Sequence, residues 1–328
     1  MNVTDEDAVA AVEGDEPMDA EDEAWAAISG YRRAMTYVLQ LAHDDHFAYN
    51  PGLIRSLHFM MTEYSLDASP GLWRPGPIWI NNEASGEIVY EGPEAAELPT
   101  LIDELVAELS VDRGLPSMVK AAMGHLNLIM IHPFRDGNGR MSRCLQTLIL
   151  ARDQILAPEW SSIEEFLGHS RNTHDYYQIL AEVGTTKWDP SQDARRWVRF
   201  CLRAHYIQAA SVLRRVRESE RIWKEIAALA ANARLQERAI MALFDAALGL
   251  KVRNGSYRAS LNYVDEEISI QVATSDLKAM VDAGLLLQYG KKRGTYYIAS
   301  PQVAEIRARL VAERTPIDEL DSLFRRAV

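Results

Sequence analysis

Residues 132–143 read His-Pro-Phe-Arg-Asp-Gly-Asn-Gly-Arg-Met-Ser-Arg, and their types and spacing suit chemistry on a phosphate. Gly137, Asn138 and Gly139 open an apolar helical stretch, so exposed backbone N–H groups and the positive end of a helix dipole coincide there. The glycines let a phosphate approach the backbone closely. Arg140 and Arg143 are three apart, share a helix face and can clasp successive phosphate groups with forked hydrogen bonds. Asp136 precedes the nest, where a carboxylate can hold Mg²⁺, a hard ion that bridges phosphates. Histidine ordinarily titrates near neutrality, and His132 stands at the mouth of the loop, where it can take the proton of an incoming hydroxyl. Base, metal carboxylate, anion nest and paired arginines together describe phosphoryl or nucleotidyl transfer from a Mg–nucleotide.

Two helices must position this loop. Apolar spacing predicts helices over Ser117–Ile131 and Asn138–Ala151, and Pro133 stops the first because the residue before proline avoids the α region. Further helices are expected over Ala24–His43, Pro51–Tyr64, Leu101–Leu109, Ile163–Leu167, Asp175–Val183 and Ser191–Ala231. Between 66 and 97, Pro, Gly and Trp punctuate the chain. Ile78–Ile80 and Ile88–Tyr90 read there as the arms of a β-hairpin.

The twelve residues resemble the signature of the Fic family, H-x-F-x-(D/E)-G-N-G-R-x-x-R, with no departure at any specified position. At typical residue usage such a match arises by chance on the order of 10⁻¹⁰ per window, so the motif is specific. The resemblance spans roughly residues 24–200. It implies a protein adenylyltransferase that moves AMP from ATP to a Tyr, Thr or Ser hydroxyl of a target protein, with Mg²⁺ as cofactor. By the same resemblance His132 is the base, Phe134 anchors the loop and Asp136 binds the metal. Gly137, Asn138 and Gly139 cradle the phosphates, Arg140 meets the β-phosphate and Arg143 the γ-phosphate. The hairpin resembles the family's flap, which pairs with the target segment as an added strand. Tyr176 and Tyr177, after Arg171 and Asn172, resemble a segment bordering the nucleotide base, and Tyr177 is the residue assigned to it. Many members carry an inhibitory helix of pattern (S/T)-x-x-x-E-(G/N). Glu13-Gly14 supplies its end, with Val9 at the hydroxyl position, which makes Glu13 the candidate brake on Arg143.

Past residue 232 the pattern changes. Leu235–Leu248 and Gln271–Ala283 read as helices, followed by strands Leu285–Tyr289 and Thr295–Ile298 around a basic turn. That is the order of a winged helix-turn-helix. The expected fold is thus mainly α: a helical core with a β-hairpin flap, plus a C-terminal winged helix. Its divisions are an acidic segment 1–23, a core with helical extension 24–232, a winged unit 233–300 and a helical tail 301–328. Residues 234–300 hold nine Lys/Arg against seven Asp/Glu, a lukewarm balance for DNA. Winged helices also serve as docking or dimerisation modules, so DNA and a second copy of the chain both stand as partners. A DNA-binding regulator with a nucleotide-sensing core, and an enzyme that removes AMP, are the alternative functions.

Composition sets the remaining bounds. The net charge of −12 over 328 residues comes largely from ten acids in residues 1–31, which contain no Lys or Arg. The rest is near neutral, with 35 bases against 47 − 10 = 37 acids, so charge neither requires nor forbids nucleic acid. No apolar run is long enough to span a membrane. Cys144 and Cys201 form neither a disulfide framework nor a zinc site; they suit a reducing cytoplasm and buried packing. His125 reads as a core histidine, and His43 and His46, though beside Asp44 and Asp45, lie at a helix end where histidine is common and are not read as a metal site.

Overall fold

In the computed structural model, which describes residues 22–81, 86–155, 162–187, 189–315 and 317, α1 (Asp22–Leu41) buries Ala27, Ala34, Val38 and Leu41 along one stripe. Glu13 lies outside the described residues. Helix α2 (Pro51–Thr62) starts where Asn50 Oδ1 accepts from the Leu53 N–H at 2.9 Å and proline fills the first turn. It turns Ile54, Leu57, His58 and Met61 inward.

The hairpin follows as β1 (Trp79–Asn81) and β2 (Ile88–Glu91), antiparallel, with Trp79 opposite Glu91 and Ile80 opposite Tyr90. One link to the core is Tyr90, whose hydroxyl donates to the Met130 carbonyl at 2.5 Å. Then come α3 (Leu98–Ser110), α4 (Ser117–Ile131), α5 (Asn138–Arg152), the single turn α6 (Glu164–Leu167), α7 (Ser170–Gly184) and the long α8 (Arg195–Asn232).

Helix α4 is apolar around most of its girth, and such a helix is stable only when covered on all sides. Ala121, Leu128 and Ile131 join a cluster with α1, α2, α3 and α5. Ala122, Leu126, Ile129 and Met130 join a second cluster with Tyr90, α6, α7 and the start of α8. Gly124 allows the close approach of α5: a Cβ there would lie 2.7 Å from Ile149 Cδ1. Cys144 and Cys201 are buried thiols within these clusters.

The chain divides into two compact units between Ala209 and Ala210, within α8. In the second, the end of α8 packs with α9 (Ala239–Ala247), α10 (Asn254–Asn262), α11 (Ile270–Asp282), β3 (Leu286–Tyr289), β4 (Tyr296–Ala299) and α12 (Pro301–Ala312). Strand β3 pairs antiparallel with β4, Leu286 opposite Ala299, and Val252 bridges to Tyr297 on the other edge of β4.

Several boundaries differ from those expected. Helix α7 begins at Ser170 rather than Asp175, because the Thr173 hydroxyl and the Asn172 amide donate to the carbonyls of Leu167 and Phe166 and bind its polar first turn to α6. Helix α8 begins at Arg195, since the Asp189 carboxylate accepts from the Ser191 N–H and hydroxyl and makes residues 189–191 a turn. Helix α10 carries too few apolar residues to show a helical period; only Tyr257 and Leu261 are buried.

Candidate active site

The loop between α4 and α5 begins with strained backbone. His132 caps α4 in the left-handed region (φ 50°, ψ 56°), with its N–H donating to the Leu128 carbonyl at 3.1 Å. For a residue with a side chain that conformation costs about 1–2 kcal/mol. It has a consequence for the imidazole. Nδ1 lies 3.0 Å from the Ile129 carbonyl, which only accepts, so Nδ1 carries the proton and Nε2 keeps its lone pair. Burial depresses the His132 pKa to about 4; the Ile129 contact and Asp136 raise it and Arg74 lowers it further. The imidazole is therefore neutral across the physiological range, as a general base requires.

Phe134 is fully buried, stacked on His58 and tilted against Trp73. Asn138 closes the loop on itself: its Oδ1 accepts from the Phe134 N–H and its Nδ2 donates to the Phe134 carbonyl, both at 2.9 Å. Here the Asn138 amide fixes the shape of the nest. Gly137 is left-handed at φ 78°, and a Cβ there would sit 3.3 Å from Thr62 Cγ2 and 3.4 Å from His58 Nε2. The left-handed backbone favours glycine, and the close neighbours leave a methyl group little room.

The paired arginines stand on α5. Arg140 lies 3.3 Å from both the Asp136 carboxylate and the Tyr64 hydroxyl. Arg143 runs beside Gly139 and donates from Nε to Glu164 Oε1 at 2.5 Å. Burial opposes its charge most strongly, but Glu164 together with Tyr176 and Tyr31 holds the guanidinium above its ordinary pKa. Asp136 is largely open to solvent. As one exposed hard-oxygen donor at the lip of an anion nest it fits Mg²⁺, which takes one or two carboxylates and fills its other positions with water and substrate phosphate. No group of three or more His, Cys, Asp or Glu that could hold a metal exists among the described residues.

The two tyrosines separate. Tyr176 is buried, its hydroxyl 3.0 Å from His125 Nε2, so it belongs to the core. Tyr177 is 64% exposed with its ring edge-on to Tyr176, on the outer side of α7. His125 is also fully buried, between Tyr176 and Gln146.

Three residues of the site carry no signal in the sequence. His58 accepts at Nδ1 from the Gly71 N–H at 2.9 Å and meets the Asp136 carbonyl at 3.0 Å through Nε2. Arg74 donates to the His132 carbonyl at 2.9 Å. Glu164 holds Arg143. Each acts through a contact between distant segments, which no local spacing announces.

Residues 48–150, from just before α2 to the last turns of α5, match the model of the Fic/DOC family. A protein adenylyltransferase Fic of Nematostella vectensis is 34% identical over 83 residues, 25% of this chain and 16% of that protein. A probable protein adenylyltransferase of Aquifex aeolicus is 27% identical over 93 residues, 28% of this chain and 29% of that protein. The similarity thus spans less than a third of either relative's length. The crystal structure of a Fic family protein from Desulfovibrio desulfuricans G20 superposes with a TM-score of 0.53 at 19% identity, covering 91% of this chain and 82% of that one, a likeness of fold. No helix among the described residues is long and apolar enough to cross a membrane.

Proposed function

We propose that this protein transfers AMP from Mg–ATP to a hydroxyl side chain of another protein. The observation that carries the proposal is the neutral His132, with Nε2 unprotonated, beside a left-handed glycine nest and two arginines on one helix face. The target hydroxyl oxygen attacks the α-phosphorus as its proton passes to His132 Nε2. The bond from the α-phosphorus to the bridging oxygen breaks, and pyrophosphate leaves with that electron pair. Held by Asp136, Mg²⁺ would neutralise charge on the phosphates. Arg140 takes the β-phosphate. Arg143 takes the γ-phosphate with its terminal nitrogens while Glu164 keeps Nε, or Glu164 gives way. The β1–β2 hairpin offers an edge for the target segment, and exposed Tyr177 borders the base. Glu13 remains the candidate brake on Arg143, and with it removal of AMP as a second direction of the same chemistry.

The test is incubation with Mg²⁺ and ATP labelled at the α- or the γ-phosphate, alone and with a cell lysate. Protein-bound α-label without γ-label, abolished in His132→Ala and raised in Glu13→Gly, is the expected result. Nucleotide binding without α-label in any variant would reject AMP transfer.

We also assign residues 233–300 to a winged helix-turn-helix. Asn254 and Arg258 of α10 donate to the carbonyls of Ile270 and Ile268 at the head of α11, which leaves Gln271, Ser275 and Lys278 on an exposed face. That face suits DNA, and the unit also suits a homodimer contact. Binding to random duplex DNA at two salt concentrations, with sedimentation of the free protein, separates the two: salt-sensitive retention marks DNA.

A further inference from the structure

Arg74 lies between β1 and the catalytic loop, 4% exposed, and its hydrogen bonds go to carbonyls. Nε donates to His132 O at 2.9 Å, one terminal nitrogen to Gly76 O at 2.5 Å and the other to Pro93 O. Its backbone N–H donates to Pro133 O at 2.9 Å. Gly76 precedes β1 and Pro93 follows β2, so these carbonyls belong to the two legs of the hairpin and to the base. A guanidinium presents its donors in one rigid plane, so segments that share it keep fixed relative positions; a lysine ammonium imposes no such plane. Burying the charge is costly unless its donors are satisfied, which adds to the demand for that arrangement.

We propose that Arg74 is a positioning residue that binds both legs of the β1–β2 hairpin to the carbonyl of His132, so that a peptide strand laid on the hairpin is registered directly to the imidazole. This rests on the AMP-transfer function proposed above. Arg74 has a second effect, through space. The charged groups facing His132 are Arg74, from the segment before β1, and Asp136, from its own loop, and they act in opposite senses on the imidazole. Without the Arg74 charge the His132 pKa moves up from about 4.

The test uses the full chain with Arg74→Gln and Arg74→Lys. His132 is titrated by NMR, amide exchange is followed in the hairpin and in residues 132–137, Mg–ATP binding is measured by calorimetry, and α-label transfer into lysate is counted. In Arg74→Gln the His132 pKa rises, hairpin and loop lose exchange protection together, and transfer falls about tenfold or more with Mg–ATP affinity within about twofold. In Arg74→Lys the pKa stays low while protection and transfer are still lost. A folded Arg74→Gln with the wild-type His132 titration and wild-type protection overturns the proposal. If Arg74→Gln does not fold, Arg74→Lys decides by the same exchange measurement, and unchanged protection overturns it. Absence of label from both the wild type and Glu13→Gly counts against AMP transfer alone, since titration and exchange still report on Arg74.

Discussion

The His58 imidazole lies flat against the Phe134 ring, with centroids 3.7 Å apart and planes 5° from parallel. Because Nδ1 accepts from the Gly71 N–H, Nε2 carries the proton and donates to the Asp136 carbonyl. One buried histidine thus joins α2, the turn before β1 and the loop that presents Asp136. Phe134→Ala should lower the free energy of unfolding by about 3–5 kcal/mol. His58→Phe keeps a stacked ring but leaves the Gly71 N–H and the Asp136 carbonyl without partners, at a cost of about 1–3 kcal/mol. Urea denaturation of both variants checks the two values.

The low pKa of His132 predicts a pH profile. A base active in its neutral form is fully available above its pKa and is lost as pH falls through about 4. Transfer should therefore stay flat from pH 8 to 6 and fall on the acid side with a limb near 4, about tenfold per unit beneath it. A limb near the ordinary histidine value would contradict the part-buried, neutral imidazole. Rates at fixed saturating Mg–ATP decide.

Stability should follow the same histidines. His125, His132 and His205 have pKa values lowered to about 3, 4 and 4, chiefly by burial. Between those values and the ordinary 6.5 the unfolded chain binds more protons than the folded one. Stability accordingly rises with pH through this window and declines as pH drops from 6.5 toward 4. His125→Gln removes one titrating group and should make the decline shallower. Unfolding free energies at pH 7, 6, 5 and 4.5 test the slope.

Gly137→Ala places a methyl group in a left-handed site, within 3.4 Å of Thr62 and His58. The expected cost is about 1–3 kcal/mol of stability. Mg–ATP binding should also fall by about tenfold or more, because the displaced backbone N–H groups no longer converge. Calorimetric titration and thermal melts measure the two effects separately.

Glu164→Gln removes the carboxylate partner of Arg143. Binding of ATP should tighten by about three- to tenfold while that of AMP, which lacks the distal phosphates, stays constant. The protein itself should become less stable, since the partly buried guanidinium loses its counter-charge. Competition between ATP and AMP for the variant is the direct measurement.

Much of the site was legible because its ingredients are local. Pro133, the glycines around Asn138 and the three-residue spacing of the arginines sit within one short stretch. Helices α4 and α5 were equally plain, since α4 matches its expected span and α5 runs one residue further, to Arg152. Local patterns cannot show where a side chain goes after the chain has turned. Tyr176 and Tyr177 are adjacent and similar, yet one is a core residue and the other is open to solvent. Arg74, 58 residues before His132, reads as one more polar residue in a turn-rich segment. Helix α10 went unseen because a short helix with few buried side chains has no period to detect.

The burial of α4 along most of its length from Ala121 to Ile131 carries one last implication. His132 hangs from the end of a rod gripped on both sides, so its aim is inherited from packing well away from the glycine loop. A conservative change at Leu126 or Leu128 will then misdirect the imidazole and look in an assay like a lesion in the chemistry. Screens for inactive variants of this protein should recover core positions as readily as the residues that touch substrate.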